Sequence, residues 1–182
     1  MGTPEYTPYK DALVNSMNYL GEKQNTIFIG QQVKWQGNPM STTIGGVSVD
    51  KLIEVPVMEE SQMGMSLGMA MAGKFVITFY PRWDFLICAT NQLVNHVDKI
   101  GVMSVGAWKP NMIIRVGKGS DKPLDPGHQH RGNYFNEFKS LCPNIQFYDL
   151  INHNNIESTY KNAYELGGIS VIVEYPELYY LN

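Results

Sequence analysis

Apolar positions along the chain change period several times, and each change marks an element. From Tyr9 to Glu22 the residues Ala12, Leu13, Met17 and Leu20 recur on one face, which predicts an amphipathic helix. Thr26-Ile27-Phe28-Ile29 is a continuous apolar run closed by Gly30, as a buried strand requires. Gln31 to Asp50 is rich in Gly, Ser, Thr and Asn and reads as a long loop with at most one helical turn. Loops of that length inside a compact domain are commonly functional. Leu52 to Val55 predicts a second strand, stopped by Pro56, and Glu59 to Gly73 a helix. Phe75 to Phe79 predicts a third strand, and Asp84 to Lys99 a helix with Asp84 as its N-cap. Met112 to Val116 predicts the fourth strand, before a Gly-, Pro- and His-rich loop from Gly117 to Gly132. The remaining expectations are a helix over 134–140, a strand over 145–148, a helix over 156–166 and a strand over 170–174. Strands alternating with helices predict an α/β fold: three α-β-α layers around a mostly parallel central sheet.

Length and composition narrow this picture. The 182 residues are expected to form one domain over 1–182, with 1–8 a loose N-terminal segment. Charged residues are 17%, low for a globular chain, which implies that part of the surface is buried against something else. A net charge of −3 argues against general nucleic-acid binding. No apolar run approaches the ~20 residues that cross a bilayer, and the polar start with Pro4 and Pro8 is no signal peptide. The expectation is no nucleic acid, no membrane, and a reducing, cytoplasmic location for Cys88 and Cys142.

Three segments carry candidate chemistry. The 59–73 helix is built from small residues, among them Gly64, Gly68 and Ala72, with methionines between them. Glycine inside a helix costs about 1 kcal/mol against alanine, so either tight packing within the fold or a subunit interface is needed to explain it. Glu59 and Glu60 open that helix, where acids favour the helix dipole. Glu59 also follows a strand end, and in an open parallel sheet the crevice beyond the strand ends is where ligands bind; it is then a candidate acid or base. Phe79, Tyr80, Trp83 and Phe85 cluster at a strand-to-helix turn, either as core or as a flat wall for a heteroaromatic ring. His128 and His130 lie in the glycine-rich loop without a third metal ligand nearby, so a metal site is not expected. They are either surface residues or a proton donor or anion contact.

Taken in order, these segments resemble the pyrimidine-binding domain of thiamine-diphosphate enzymes, and most of all the beta subunit of 2-oxo-acid dehydrogenases. The resemblance runs through Ile27 to Val33, Ile53 to Gly73, Trp83 to Asn95, Pro110 to Gly119, Asp125 to His130, Cys142 to Ile145, and Glu174. It implies that Glu59 hydrogen-bonds N1′ of the cofactor's aminopyrimidine, that Phe85 stacks on that ring, and that His128 handles the substrate near the thiazolium. Gly64, Gly68 and Ala72 would form an interface. The implied cofactors are thiamine diphosphate and magnesium, the latter held by a partner, because the Gly-Asp-Gly…Asn motif that binds the diphosphate is not in these 182 residues. The implied assembly is a homodimer within a heterotetramer with a diphosphate-binding alpha-type subunit, acting on a small 2-oxo acid by oxidative decarboxylation or acyl transfer. A split transketolase-like transferase is the alternative enzyme, and a non-catalytic assembly protein the alternative from another class. Three departures stand out: Gln31 replaces the family's glutamate, Gln129 and His130 replace Ser-Gln, and the family's C-terminal domain is expected to be absent.

Overall fold

The computed structural model describes residues 7–35, 37–122 and 125–180. Its centre is a six-stranded sheet in the order β2-β1-β3-β4-β6-β5, with every pairing parallel. The strands are β1 Thr26–Gly30, β2 Leu52–Glu54, β3 Phe75–Tyr80, β4 Asn111–Gly117, β5 Gln146–Asp149 and β6 Ile169–Glu174. All six residues of β3 are buried, as expected of a central strand covered on both faces. The period of two sorts the side chains. Phe28, Ile77 and Ile113 enter one core with Leu13, Met17 and Tyr160, while Ile29, Val76 and Ile114 enter the other with Met63, Leu67 and Leu86.

Helices α1 (Pro8–Gly21) and α6 (Ile156–Leu166) cover the first face. Helix α2 (Glu59–Met71) and the segment after β3 cover the second. The loose segment expected over 1–8 lies mostly outside the described residues, but its last two members are ordered parts of a helix start. Thr7 caps α1 by accepting from the Lys10 N–H at 3.2 Å, and Pro8 takes the first helical position, where its missing N–H costs nothing. The long 31–50 segment contains two 3₁₀ turns, Met40–Thr43 and Val49–Lys51, rather than one helical turn.

The helix expected over 84–99 is broken. It becomes α3 (Trp83–Ile87), a π turn over Gln92–Val97, and α4 (Ile100–Met103). The N-cap of α3 is Arg82, in extended backbone, and Asp84 sits inside the first turn instead. The π turn precedes Asp98, whose buried carboxylate accepts from the Asn144 backbone at 2.9 Å and from its side chain at 3.1 Å. Drawing Asp98 inward satisfies Asn144 from another element, a demand that local helix propensity does not contain. Both cysteines are free; burial, then nearby Asp98, push the Cys142 thiol up to about 12.

A polar lock crosses the first core. Arg115 of β4 and Glu174 of β6, both fully buried, meet through two bonds, Nε to Oε1 at 2.6 Å and Nη2 to Oε2 at 2.8 Å. Tyr160 and Tyr179 donate to the same carboxylate, and Arg115 Nη2 also reaches Thr43 Oγ1 at 3.1 Å. Burial alone would lower the Arg115 pKa; the facing Glu174 outweighs it and the net direction is upward. Burial, then the same carboxylate, push both tyrosine hydroxyls well above their ordinary value, so they remain donors.

Candidate functional site

The chain leaves β1 toward β2 on one side and returns to β3 on the other, so the sheet reverses its winding between β1 and β3. The crevice outside the carboxyl ends of those strands is the place for a ligand in an open parallel sheet. Here it is bounded by Gln31, which follows β1, Pro81, which follows β3, and the first turn of α2.

That first turn is held from β3. The Tyr80 hydroxyl donates to the Glu59 carbonyl at 3.1 Å. One turn on, the buried Gln62 amide donates to Thr78 Oγ1 and to the Phe79 carbonyl, both at 2.9 Å. Sequence reasoning passed over Gln62, since a lone amide in a helix of small residues carries no local signal. It pins the helix that presents Glu59. The two glutamates then separate. Glu59 is half-buried and its Oε1 accepts from Gln31 Nε2 at 3.1 Å, while Glu60 is exposed and accepts from Asn91 Nδ2 at 2.9 Å.

Beside Gln31 lies a cavity of about 420 Å³, within the range of small-molecule sites. Gln31, Asn38, Phe85, Arg82, Lys118 and Lys122 are among its walls. Asn38 Nδ2 donates to the Gln31 carbonyl at 3.2 Å and so holds the residue that touches Glu59. Gln32, on the same wall, adopts a left-handed conformation at φ 59°, and its N–H is held by Glu54 Oε1 at 2.6 Å. A non-glycine residue at positive φ persists only where its surroundings fix it. Phe85 is half-buried, so part of its ring faces the cavity rather than the core.

The histidine loop reaches the same place, with the second histidine inward. The His130 ring lies 5.5 Å from the Phe85 ring, and the His130 carbonyl accepts from Arg82 Nη1 at 2.9 Å. His128, which the resemblance singles out, is exposed at the start of the 3₁₀ turn His128–His130. Asp125 organises the loop by accepting from the Gly127 N–H at 2.8 Å and from Arg131 Nε at 2.9 Å. The Gly127 contact, then the Arg131 contact, hold its carboxyl below the usual range. Gly127 has φ 85°, and a Cβ on Gly119 would stand 2.4 Å from the Arg131 carbonyl carbon. The loop lies against the exit of β4 only because Gly119 has no side chain.

The small-residue face of α2 turns away from the core. A Cβ on Gly68 would meet nothing within 4 Å, and Gly68 and Ala72 are exposed; Gly64 has only the Gln92 side chain nearby, at 3.5 Å. Tight packing within this chain therefore does not explain the glycines. Among the described residues, no three His, Cys, Asp or Glu side chains gather as a metal site would require, and no helix is long and apolar enough to cross a membrane.

Comparison with known proteins bears on this geometry. No family model matches the chain. It is 29% identical over 132 residues to the pyruvate dehydrogenase E1 component subunit beta of Chaetosphaeridium globosum, covering 72% of this chain and 40% of that protein. It is 26% identical over 175 residues to the chloroplastic pyruvate dehydrogenase E1 component subunit beta-3 of Oryza sativa subsp. japonica, covering 94% and 43%. It is 26% identical over 115 residues to the 2-oxoisovalerate dehydrogenase subunit beta of Bacillus subtilis, covering 61% and 35%. The chain thus spans less than half the length of these relatives. Among solved structures it is similar to a split gene transketolase described as an inactive beta4 tetramer, with TM-score 0.72 and 15% identity over 96% of this chain and 53% of that one. The fold is transketolase-like, and the chain resembles the beta subunit of the pyruvate dehydrogenase E1 component.

Proposed function

We propose that this chain is the pyrimidine-binding subunit of a split thiamine-diphosphate enzyme, acting with a separate diphosphate-binding alpha-type subunit on a 2-oxo acid. The observation that carries the reading is the link through Gln31. This one residue touches the Glu59 carboxylate and lines the cavity that Phe85 walls. An acceptor and an aromatic face around one crevice fit a flat ring that offers an N–H, which is the chemistry of an aminopyrimidine.

Bound thiamine diphosphate would supply the electron sink for breaking the bond beside a 2-oxo group. The chain's residues would do the rest. Glu59 would hold the proton at the ring nitrogen N1′ and fix the tautomer. Phe85 would set the plane of the ring, and Pro39 and Pro81, which also line the cavity, would keep water from its edge. His130 is set against Phe85 and His128 is exposed, so His130 would be the histidine nearer a ring stacked on Phe85. Magnesium and the diphosphate fall to the partner, as the resemblance implies. The face carrying Gly64, Gly68 and Ala72, exposed at the last two, would serve assembly, as a homodimer within a heterotetramer in the cytoplasm.

The test is co-expression with a subunit carrying Gly-Asp-Gly…Asn, a mass measurement of the complex, and turnover of 2-oxo acids with an artificial electron acceptor. A stable complex that turns over and loses activity with Glu59→Gln supports the reading. A stable complex with cofactor bound and turnover indifferent to Glu59 rejects it. The second reading, a transketolase-like transferase, is favoured by one feature, the cations on the cavity rim.

A further inference from the structure

We propose that Glu54 is a positioning residue for Glu59: it fixes the peptide unit from which the Gln31 side chain reaches the Glu59 carboxylate. This rests on the reading of the crevice given above and adds a residue that acts on Glu59 through another. Glu54 closes β2 and stands opposite Gly30, the last residue of β1. One further ladder bond follows, from the Val55 N–H to the Gly30 carbonyl at 3.1 Å. Beyond it the chain turns, and its N–H groups need other acceptors. The Glu54 side chain supplies them. Oε1 accepts from the Gln32 N–H at 2.6 Å and Oε2 from the Lys34 N–H at 3.0 Å. Two converging N–H groups call for a carboxylate, because an amide would turn a donor toward one of them. Among the described residues Glu54 forms no ion pair, so the pull of a cation does not explain its place.

The peptide unit between Gln31 and Gln32 is held at both ends. Asn38 Nδ2 donates to its carbonyl at 3.2 Å, and Glu54 takes its N–H. Asn38 is itself fixed by Ser41, which is fully buried. The Asn38 N–H donates to Ser41 Oγ at 3.1 Å, and the Ser41 N–H to Asn38 Oδ1 at 3.0 Å. One residue beyond Gln32, Val33 is buried in the first core. With that peptide plane fixed, the backbone of Gln31 has little freedom, and its amide is aimed at Glu59 Oε1, 3.1 Å away. Gln32 carries the strain of this arrangement. It sits at φ 59°, and a Cβ on Gly37 would stand 2.7 Å from its side-chain Cδ, so the loop returns close over it. Such a conformation persists where surrounding bonds over-determine it, and Glu54 makes two of those bonds. Loosening at residue 54 is thus felt at Glu59, two contacts away.

The test is a double-mutant cycle on the chain assembled with its partner, with steady-state kinetics on 2-oxo acids at saturating cofactor. Gln31→Met removes the amide that touches Glu59 and is expected to lower kcat about tenfold. Glu54→Gln is expected to lower kcat about fivefold with KM for the 2-oxo acid unchanged. In the Gln31→Met background it should add nothing, because Glu54 acts through Gln31. An unchanged kcat, a rise in KM alone, or losses that multiply in the double variant overturn the proposal. Where Glu54→Gln does not assemble, Glu54→Asp, whose arm is one methylene shorter, carries the same comparison. NMR of the full chain gives a readout independent of turnover. The side-chain amide signals of Gln31 should move in Glu54→Gln and stay in place in Asp50→Asn, which removes an exposed acid from the same segment. Unmoved Gln31 signals in Glu54→Gln also overturn the proposal. A Glu59→Gln enzyme with wild-type turnover would instead sink the reading of the crevice, while the Gln31 signals would still decide whether Glu54 holds the loop.

Discussion

Two carboxylates near the ends of parallel strands show how differently this fold treats the same group. Glu174, at the end of β6, is fully buried and saturated by an arginine and two tyrosines. Glu59, opening α2 beside the end of β1, is half-buried, and among the described residues its one side-chain partner is a neutral amide. The first has its hydrogen-bonding capacity committed to the core. The second touches Gln31, a residue that lines a cavity. A buried ion pair is strongly destabilising to break but adds little over a well-packed apolar substitute, so Glu174 belongs to the architecture. A carboxylate held by an amide is oriented without a charge beside it, which suits a group that must accept a proton or an N–H from a ligand.

The contrast can be broken from either side. Arg115→Met would leave Glu174 buried and unpaired, with an expected loss of about 3–5 kcal/mol in denaturant unfolding. Adding Glu174→Leu should recover only part of it, because Tyr160 and Tyr179 lose their acceptor. At Glu59 the expected pattern is the reverse. Glu59→Gln should leave unfolding within about 0.5 kcal/mol and lower turnover of the assembled enzyme about 10²–10⁴-fold. Glu60→Gln, on the exposed side of the same turn, should do little to either measurement.

Gln31→Glu sharpens the difference between the two environments. It would bring a second carboxylate to where an amide now donates at 3.1 Å. Like charges that close disfavour double ionisation, so one of the pair binds its proton more tightly. The proton-accepting form then persists only at higher pH, and the acid limb of the pH–rate profile should move upward. A profile identical to wild type would mean that residue 31 does not face Glu59 in the working enzyme.

Smaller effects are expected around the ring. Phe85→Ala should raise the cofactor dissociation constant several-fold, since an aromatic pair contributes about 0.5–1.5 kcal/mol beyond its area. His130→Ala should lower turnover more than His128→Ala, because only His130 packs on Phe85. The opposite ranking would show that the loop rearranges when the partner binds.

The strands and α6 were legible because short apolar runs end at Gly or Pro and the amphipathic stripe over 156–166 is clean. The order of motifs is what singles out Glu59 and Phe85. What the pattern could not carry is pairing at a distance. Arg115 and Glu174 are 59 residues apart, and nothing local says that one neutralises the other. The break after Ile87 has no Gly or Pro to announce it, and the bond from Asn144 to Asp98 further on joins residues 46 apart. Lys118, Ser120 and Lys122 read as ordinary loop residues until the sheet topology brings them to the same crevice as Phe85.

The most direct test of the account is calorimetric titration of thiamine diphosphate, with and without magnesium, into the chain alone and into the chain assembled with a diphosphate-binding subunit. The account predicts weak, magnesium-insensitive binding by the chain alone. It predicts tight, magnesium-dependent binding by the assembly, weakened by Phe85→Ala. Tight magnesium-dependent binding by the chain alone, or an assembly whose affinity ignores Phe85→Ala, would contradict it.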